Sequence, residues 1–141
     1  VTRYISVAEY FWLAEQVTGT EAAVLIKSSR TELADSALHA PAAEFGGNEF
    51  YVDLIEKAAV LVCRLAWNHP LPDGNKRAAW AALVMFLDLN DVRWEPDPPN
   101  VDEAEVAMLA VAAHEVDEVW VADWLRTRTR VPEPPDPVSG S

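Results

Sequence analysis

The chain is short of cations: eleven Lys and Arg stand against 23 Asp and Glu, a formal net charge of -12. Proteins that bind nucleic acid gain affinity by setting Lys and Arg against phosphates, so direct nucleic-acid binding is not expected. Between Trp94 and Leu125 there are nine acidic residues and no Lys or Arg. That half is either a solvated acidic face or a surface for a basic partner. The single cysteine, Cys63, excludes an internal disulfide, and its apolar helical surroundings predict a buried structural thiol with no metal site. No run of about 18 apolar residues is present, so no membrane span is expected. The first residues, VTRYISVAEY, lack the basic-then-apolar pattern of a leader, so a cytoplasmic location is expected.

What is present is ordinary globular composition, half apolar and a quarter charged, in 141 residues that suffice for one domain with one core. Residues 1-130 form that domain in this reading. Val131 to Ser141, with four prolines and no apolar periodicity, reads as a disordered Pro-rich tail.

Ser6-Val7-Ala8-Glu9 has the form of a capping box and predicts a first helix over about Val7 to Val17, ended by Gly19. A second, short helix is predicted from Thr31, as its cap, to Leu38, before Pro41. In the segment from Pro41 to Tyr51, Phe45-Gly46-Gly47-Asn48 suits a turn or loosely held hairpin, read here as a flap; a plain surface loop is the other reading. Asp53 to Asn68 and Asn75 to Asn90 are apolar on nearly every helical face, which predicts two helices in the middle of a bundle. Asp91 to Pro99 reads as a connector with one short extended piece. Asn100-Val101-Asp102-Glu103 then caps another helix, and a last one runs from about Asp117 to Arg126. The fold class is all-α, a bundle of about six helices with the flap just before the central pair.

The connection between the two buried helices is His69-Pro70-Leu71-Pro72-Asp73-Gly74-Asn75-Lys76-Arg77. A turn needs only Pro72-Asp73-Gly74 of this. The first turn of the helix beginning near Asn75 presents unpaired N-H groups and partial positive charge, with Gly74 permitting close approach. Asn75, Lys76 and Arg77 add donors and charge, so phosphate is the natural ligand. Asp73 is placed to bind the magnesium that accompanies a nucleotide, and His69 to accept a proton from a hydroxyl. Spacing alone leaves a second reading open, in which Asp73 and His69 merely cap helices and Lys76 and Arg77 are solvated.

The run HPLPDGNKR resembles the signature HPFx(D/E)GN(G/K)R of the Fic/Doc superfamily. LADSALHAP, FGG, Tyr51 and EKAA, in that order, resemble its Doc (death-on-curing) branch, so the similarity covers about Thr31 to Asn90. The resemblance implies a Fic-fold helical bundle in which His69 is the general base, Asp73 binds Mg2+, and Gly74, Asn75 and Arg77 hold the phosphates of ATP. Phe45 to Phe50 would then be the flap that pairs with an extended target segment. Adenylyltransferases of the family have glycine at the place of Lys76 and a further arginine at that of Trp80. The Doc branch has the lysine and resembles protein kinases that bind ATP in the reversed sense. The implied activity is therefore that of a toxin from a toxin-antitoxin module, a kinase that moves the γ-phosphate of ATP to a Ser/Thr hydroxyl of an EF-Tu-like translation elongation factor. An adenylyltransferase or a silent binding member are the alternatives. Ser28 to Glu32 resembles the family's inhibitory pattern but is followed by Leu33 where the pattern requires Gly or Asn. The implied regulator is a separate antitoxin chain, Phd-like or other. Leu71 replaces the usual Phe and is expected to fill the same apolar pocket.

Overall fold

A computed structural model of the chain describes residues 1–133; positions 134–141 of the predicted tail lie outside the described residues. Among these, the elements are α1 (Val7–Thr18), α2 (Ala22–Ser28), α3 (Thr31–His39), a 3₁₀ turn (Ala40–Ala42), β1 (Glu44–Phe45), β2 (Asn48–Glu49), α4 (Leu54–Asn68), α5 (Asn75–Leu89), β3 (Arg93–Trp94), α6 (Val101–Ala112), α7 (Glu118–Arg126) and β4 (Thr129–Arg130). None of the described helices is long and apolar enough to cross a membrane.

Helix starts follow the sequence signals. Ser6 and Glu9 form the reciprocal capping box of α1, and Asp53, Asn100 and Asp117 cap α4, α6 and α7 through their side chains. Asp117→Ala is expected to cost about 1 kcal/mol in urea unfolding, because the Trp120 N-H then loses its acceptor. Thr31 is not a cap: Arg30 occupies that position, without a side-chain cap, and Thr31 is the first helical residue. The bundle gains a helix the periodicity does not show, α2. The first N-H of this helix is held by Glu15 Oε1 of α1 at 2.7 Å, a tertiary cap invisible to local sequence. The break at Ser29 and Arg30 also divides Ser28 from Glu32, which lie on different helices.

α4 is the axis of the core. Ten of its fifteen residues are buried, among them Cys63, whose thiol pKa is pushed up to about 12 by burial. Ala58, Leu61, Val62 and Leu65 of α4 and Ala78, Ala82, Leu83 and Phe86 of α5 belong to one continuous core, which α1, α3, α6 and α7 also enter. The alanines permit close approach of the backbones. α5 differs from the expectation of all-round burial. Trp80, Ala81, Val84 and Met85 are only partly covered, so one face of α5 stays open between α1 and α6. The single extended piece predicted after α5 is β3, and it finds a partner in β4, with Arg93 opposite Arg130 and Trp94 opposite Thr129.

Candidate active site

α4 stops because His69 adopts the left-handed region, φ 48 and ψ 57, and Pro70 cannot continue a helix. For a residue with a Cβ this conformation costs about 1–2 kcal/mol. The surroundings hold it in place. Arg30 donates its backbone N-H to Pro70 O at 2.8 Å and its guanidinium to His69 O at 3.0 Å, while the Asn68 amide donates to Leu33 O at 3.0 Å. Pro70 and Leu71 are buried, so the leucine does fill the apolar pocket expected of it.

Asn75 closes the loop from the other side. Leu71 N-H donates to Asn75 Oδ1 and Asn75 Nδ2 donates back to Leu71 O, both at 2.9 Å. The side chain read from sequence as a phosphate donor is therefore a brace of the loop, and what Asn75 offers outward is its backbone N-H. Asn75→Ala is expected to lower unfolding stability by about 1–3 kcal/mol, since two half-buried backbone groups lose their partner.

Gly74 precedes α5 with φ 80, and no side chain caps the helix, unlike α1, α4, α6 and α7. Asp73 does not cap it, and its side chain is exposed. The first N-H groups of α5 are left for an external acceptor, at the positive end of the helix dipole. A Cβ on Gly74 would lie 2.8 Å from Thr18 Cγ2 and 3.3 Å from Arg77 Nη2, so only glycine fits between the end of α1 and the arginine. Arg77 is moored there by donating Nη1 to Val17 O at 2.9 Å. His69, Asp73 and Lys76 are exposed, and their side chains make no hydrogen bond or ion pair with any described residue. One connection thus presents an imidazole, a carboxylate, an uncapped helix start and two cations to solvent.

The flap is a hairpin. β1 and β2 pair antiparallel, Glu44 with Glu49 and Phe45 with Asn48, around Gly46 (φ 60) and Gly47 (φ 82), whose two positive φ values suit a two-residue hairpin turn. Phe45 is 79% exposed. The hairpin is fastened to α4 by Lys57, which is buried and donates Nζ to Glu49 Oε1 at 2.9 Å and to Pro41 O at 3.2 Å, beneath the ring of Tyr4. Burial opposes the Lys57 charge, but the bond to Glu49 and the Tyr4 contact outweigh it and hold its pKa above the ordinary lysine value. Two turns on, Arg64 pairs with Glu118 at 2.8 Å and reaches Tyr51 Oη at 3.4 Å.

His69, Asp73, Gly74, Asn75, Lys76 and Arg77 all lie on the α4–α5 connection. Phe45 to Asn48 form a separate hairpin secured near the start of α4. Sequence reasoning missed Arg30, Thr18 and Lys57, of which only Lys57 carried a signal: it is one of two cations, with Arg64, amid the apolar run of α4.

Residues 4–87 match the model of the Fic/DOC family, well over half of the chain. The chain belongs to that family. The Fic/DOC match takes in α1 to α4 and most of α5, hence the whole α4–α5 connection and the flap. The chain is also similar to Toxin Doc of Mycolicibacterium smegmatis (strain ATCC 700084 / mc(2)155), 46% identical over 85 residues. That alignment covers 60% of this chain and 65% of the relative, so less than two thirds of the relative's length is represented.

The donor set of this Fic/DOC chain fits a nucleotide with magnesium. One exposed, unengaged carboxylate beside an anion site suits an ion that keeps much of its water and bonds phosphate oxygens. No group of three or more His, Cys, Asp or Glu side chains placed to hold a metal ion occurs among the described residues.

Proposed function

We propose that the chain is a Doc-type toxin of a toxin-antitoxin module, a protein kinase that transfers the γ-phosphate of ATP to a Ser/Thr hydroxyl of a translation elongation factor of the EF-Tu kind. The observation that carries this reading is the uncapped start of α5 behind Gly74, flanked by Lys76 and Arg77 and preceded by unengaged Asp73 and His69. The N-H groups of α5, with Lys76 and Arg77, bind and orient the phosphates. Asp73 would hold Mg2+, which when bound neutralises phosphate charge. His69 takes the proton of the target hydroxyl as its oxygen attacks the terminal phosphorus; the bond to the β-γ bridging oxygen breaks and ADP leaves.

The Lys76 side chain occupies the space that a glycine would leave beside the phosphates, and Trp80 stands where adenylyltransferases have a second arginine. Both favour phosphoryl over adenylyl transfer. The hairpin around Gly46 and Gly47 offers exposed strand edges to an extended target segment, and its attachment through Lys57 gives that edge a fixed place. No complete inhibitory pattern follows Ser28, so a cognate antitoxin, Phd-like or other, acts in trans. The test is intact-mass analysis of cell proteins after brief induction of the chain without antitoxin. A gain of one phosphate on an elongation factor is the expected result; a gain of one AMP, or no modified protein, refutes the kinase reading.

A further inference from the structure

Where α6 gives way to α7, a pocket of about 420 Å³ is lined by Trp67, His114, Glu115, Val116, Asp117 and Trp120. Three of these side chains are aromatic rings and two are carboxylates, and no Lys or Arg lines the pocket. Its member from α4, Trp67, is half-buried and fixed by donating Nε1 to Val111 O at 2.7 Å. No residue of the α4–α5 connection takes part, so the pocket is separate from the start of α5.

The other two rings are held as well. α6 is closed by His114 in the left-handed region, φ 57, where helices commonly have glycine, and Glu115 N-H then donates to Ala110 O at 3.0 Å. This strained histidine lays its imidazole over Trp67, with ring centres 4.9 Å apart and planes 17° from parallel. A glycine would close the helix equally well and leave that wall out. On the other side Trp120 stacks on Trp124 at 6.4 Å and 22°, yet stays 39% exposed. A fixed indole with an open face attracts cations through its ring quadrupole, without the entropy loss of ordering it on binding. Glu115 is exposed, and its carboxylate bonds to no described residue. Asp117 accepts the Trp120 N-H with Oδ1 only, which leaves its second oxygen available.

We propose that this pocket docks an arginine side chain carried by a basic segment of a partner protein. The guanidinium lies against the open indole of Trp120 and turns its N-H fork to Glu115 and Asp117. Arginine fits better than lysine, because a planar cation stacks on an indole and donates to a carboxylate at once, whereas an ammonium is a strongly hydrated point charge. Charge selects a protein segment over a free small cation. Of the nine acids between Trp94 and Leu125, arginines from outside that stretch pair with only three: Arg64 with Glu118, Arg126 with Asp123 and Arg130 with Glu95. The negative field that remains reaches beyond one pocket and suits a chain bearing several cations. All the lining residues except Trp67 fall outside residues 4–87, so this surface lies largely beyond the family match and holds whatever ligand the α5 start takes.

The six tryptophans make docking visible through their indole N-H signals. The full chain, labelled at the indole nitrogen, is titrated at about 0.15 M salt, which screens long-range attraction. The probes are a peptide of Gly-Arg repeats, a peptide of Gly-Lys repeats of the same length, and arginine amide. The Gly-Arg peptide is expected to shift the Trp67 and Trp120 signals saturably and to leave Trp12, exposed on α1, in place. The Gly-Lys peptide is expected to bind about fivefold more weakly, and arginine amide more weakly still. Trp120→Leu keeps apolar cover on Trp124 but offers no ring to a cation, so it should weaken the Gly-Arg peptide about fivefold and leave the Gly-Lys peptide within about twofold. Glu115→Gln, at an exposed position where the fold is not at stake, should weaken both peptides about threefold. Equal binding of the two peptides with Trp120→Leu silent means general attraction to an acidic surface and overturns the pocket. Arginine amide binding as tightly as the Gly-Arg peptide makes it a small-molecule site and overturns the protein partner. A Gly-Arg peptide that shifts Trp12 as much as Trp120, or shifts no signal, refutes docking at this place.

Discussion

His69→Ala is expected to slow phosphate transfer to the protein target by about 10²- to 10⁴-fold, the range ascribed to a positioned general base. ADP affinity should stay within about twofold of the parent, since the backbone N-H groups and cations at the α5 start do not use the imidazole. Single-turnover transfer from radiolabelled ATP measures the first and calorimetry the second. A variant that transfers as fast as the parent removes the imidazole from the chemistry. His69→Gly separates chemistry from folding. The left-handed backbone at 69 is strained for histidine and free for glycine, so this variant should be about 1 kcal/mol more stable and equally inactive. Urea unfolding of the two variants side by side reads that difference. The strain at position 69 is then a cost accepted for the sake of an imidazole at the end of a core helix.

Gly74→Val carries the second large effect. A β-branched residue at φ 80 is an outlier, and its Cβ would sit 2.8 Å from Thr18 Cγ2 with Arg77 close on the other side. Thr18 has little freedom to retreat, because its hydroxyl is bonded to Ala14 O at 2.7 Å. The expected outcome is a loss of about 2–4 kcal/mol in unfolding free energy, and at least about a hundredfold loss of transfer from displacement of the phosphate donors. Gly47→Ala is the control. Its φ is 82, but nothing lies within 4 Å of the added Cβ, so backbone strain alone should cost about 1 kcal/mol. Similar losses for Gly74→Val and Gly47→Ala would show that the packing between α1 and Arg77 carries no weight.

Much of this architecture is legible in the sequence wherever a local mechanism writes it. Ser6, Asp53, Asn100 and Asp117 each announce a helix, because a capping side chain bonds a backbone group only two or three residues away. Gly46-Gly47 points locally to a turn or hairpin, because glycine takes the positive φ such a turn needs, although a plain surface loop has the same composition. What sequence does not reveal is set by distant partners. α2 starts on a carboxylate of α1, and β3 pairs with a strand more than thirty residues later. The open face of α5 is invisible because an apolar surface beside a cavity has the same composition as one in the core. At the site, the residue types of the α4–α5 connection were readable and their division of labour was not. Asn75 looks like a donor in sequence and is spent on Leu71, whereas the clamp on His69 and Pro70 comes from Arg30, nearly forty residues upstream.

α4 holds the hairpin through Lys57, reaches Tyr51 just beyond it through Arg64, and ends on His69, five residues past Arg64. A helix rises about 1.5 Å per residue and scarcely stretches, so under the proposed function it would act as a ruler between the place where a target polypeptide would be gripped and the place where its hydroxyl would be deprotonated. Selectivity among hydroxyls along a bound segment then becomes a matter of spacing rather than of side-chain identity. Lengthening α4 by one residue after Arg64 would swing the imidazole about 100° around the axis, and lengthening it by a full turn would restore its direction while moving the modified position along the segment.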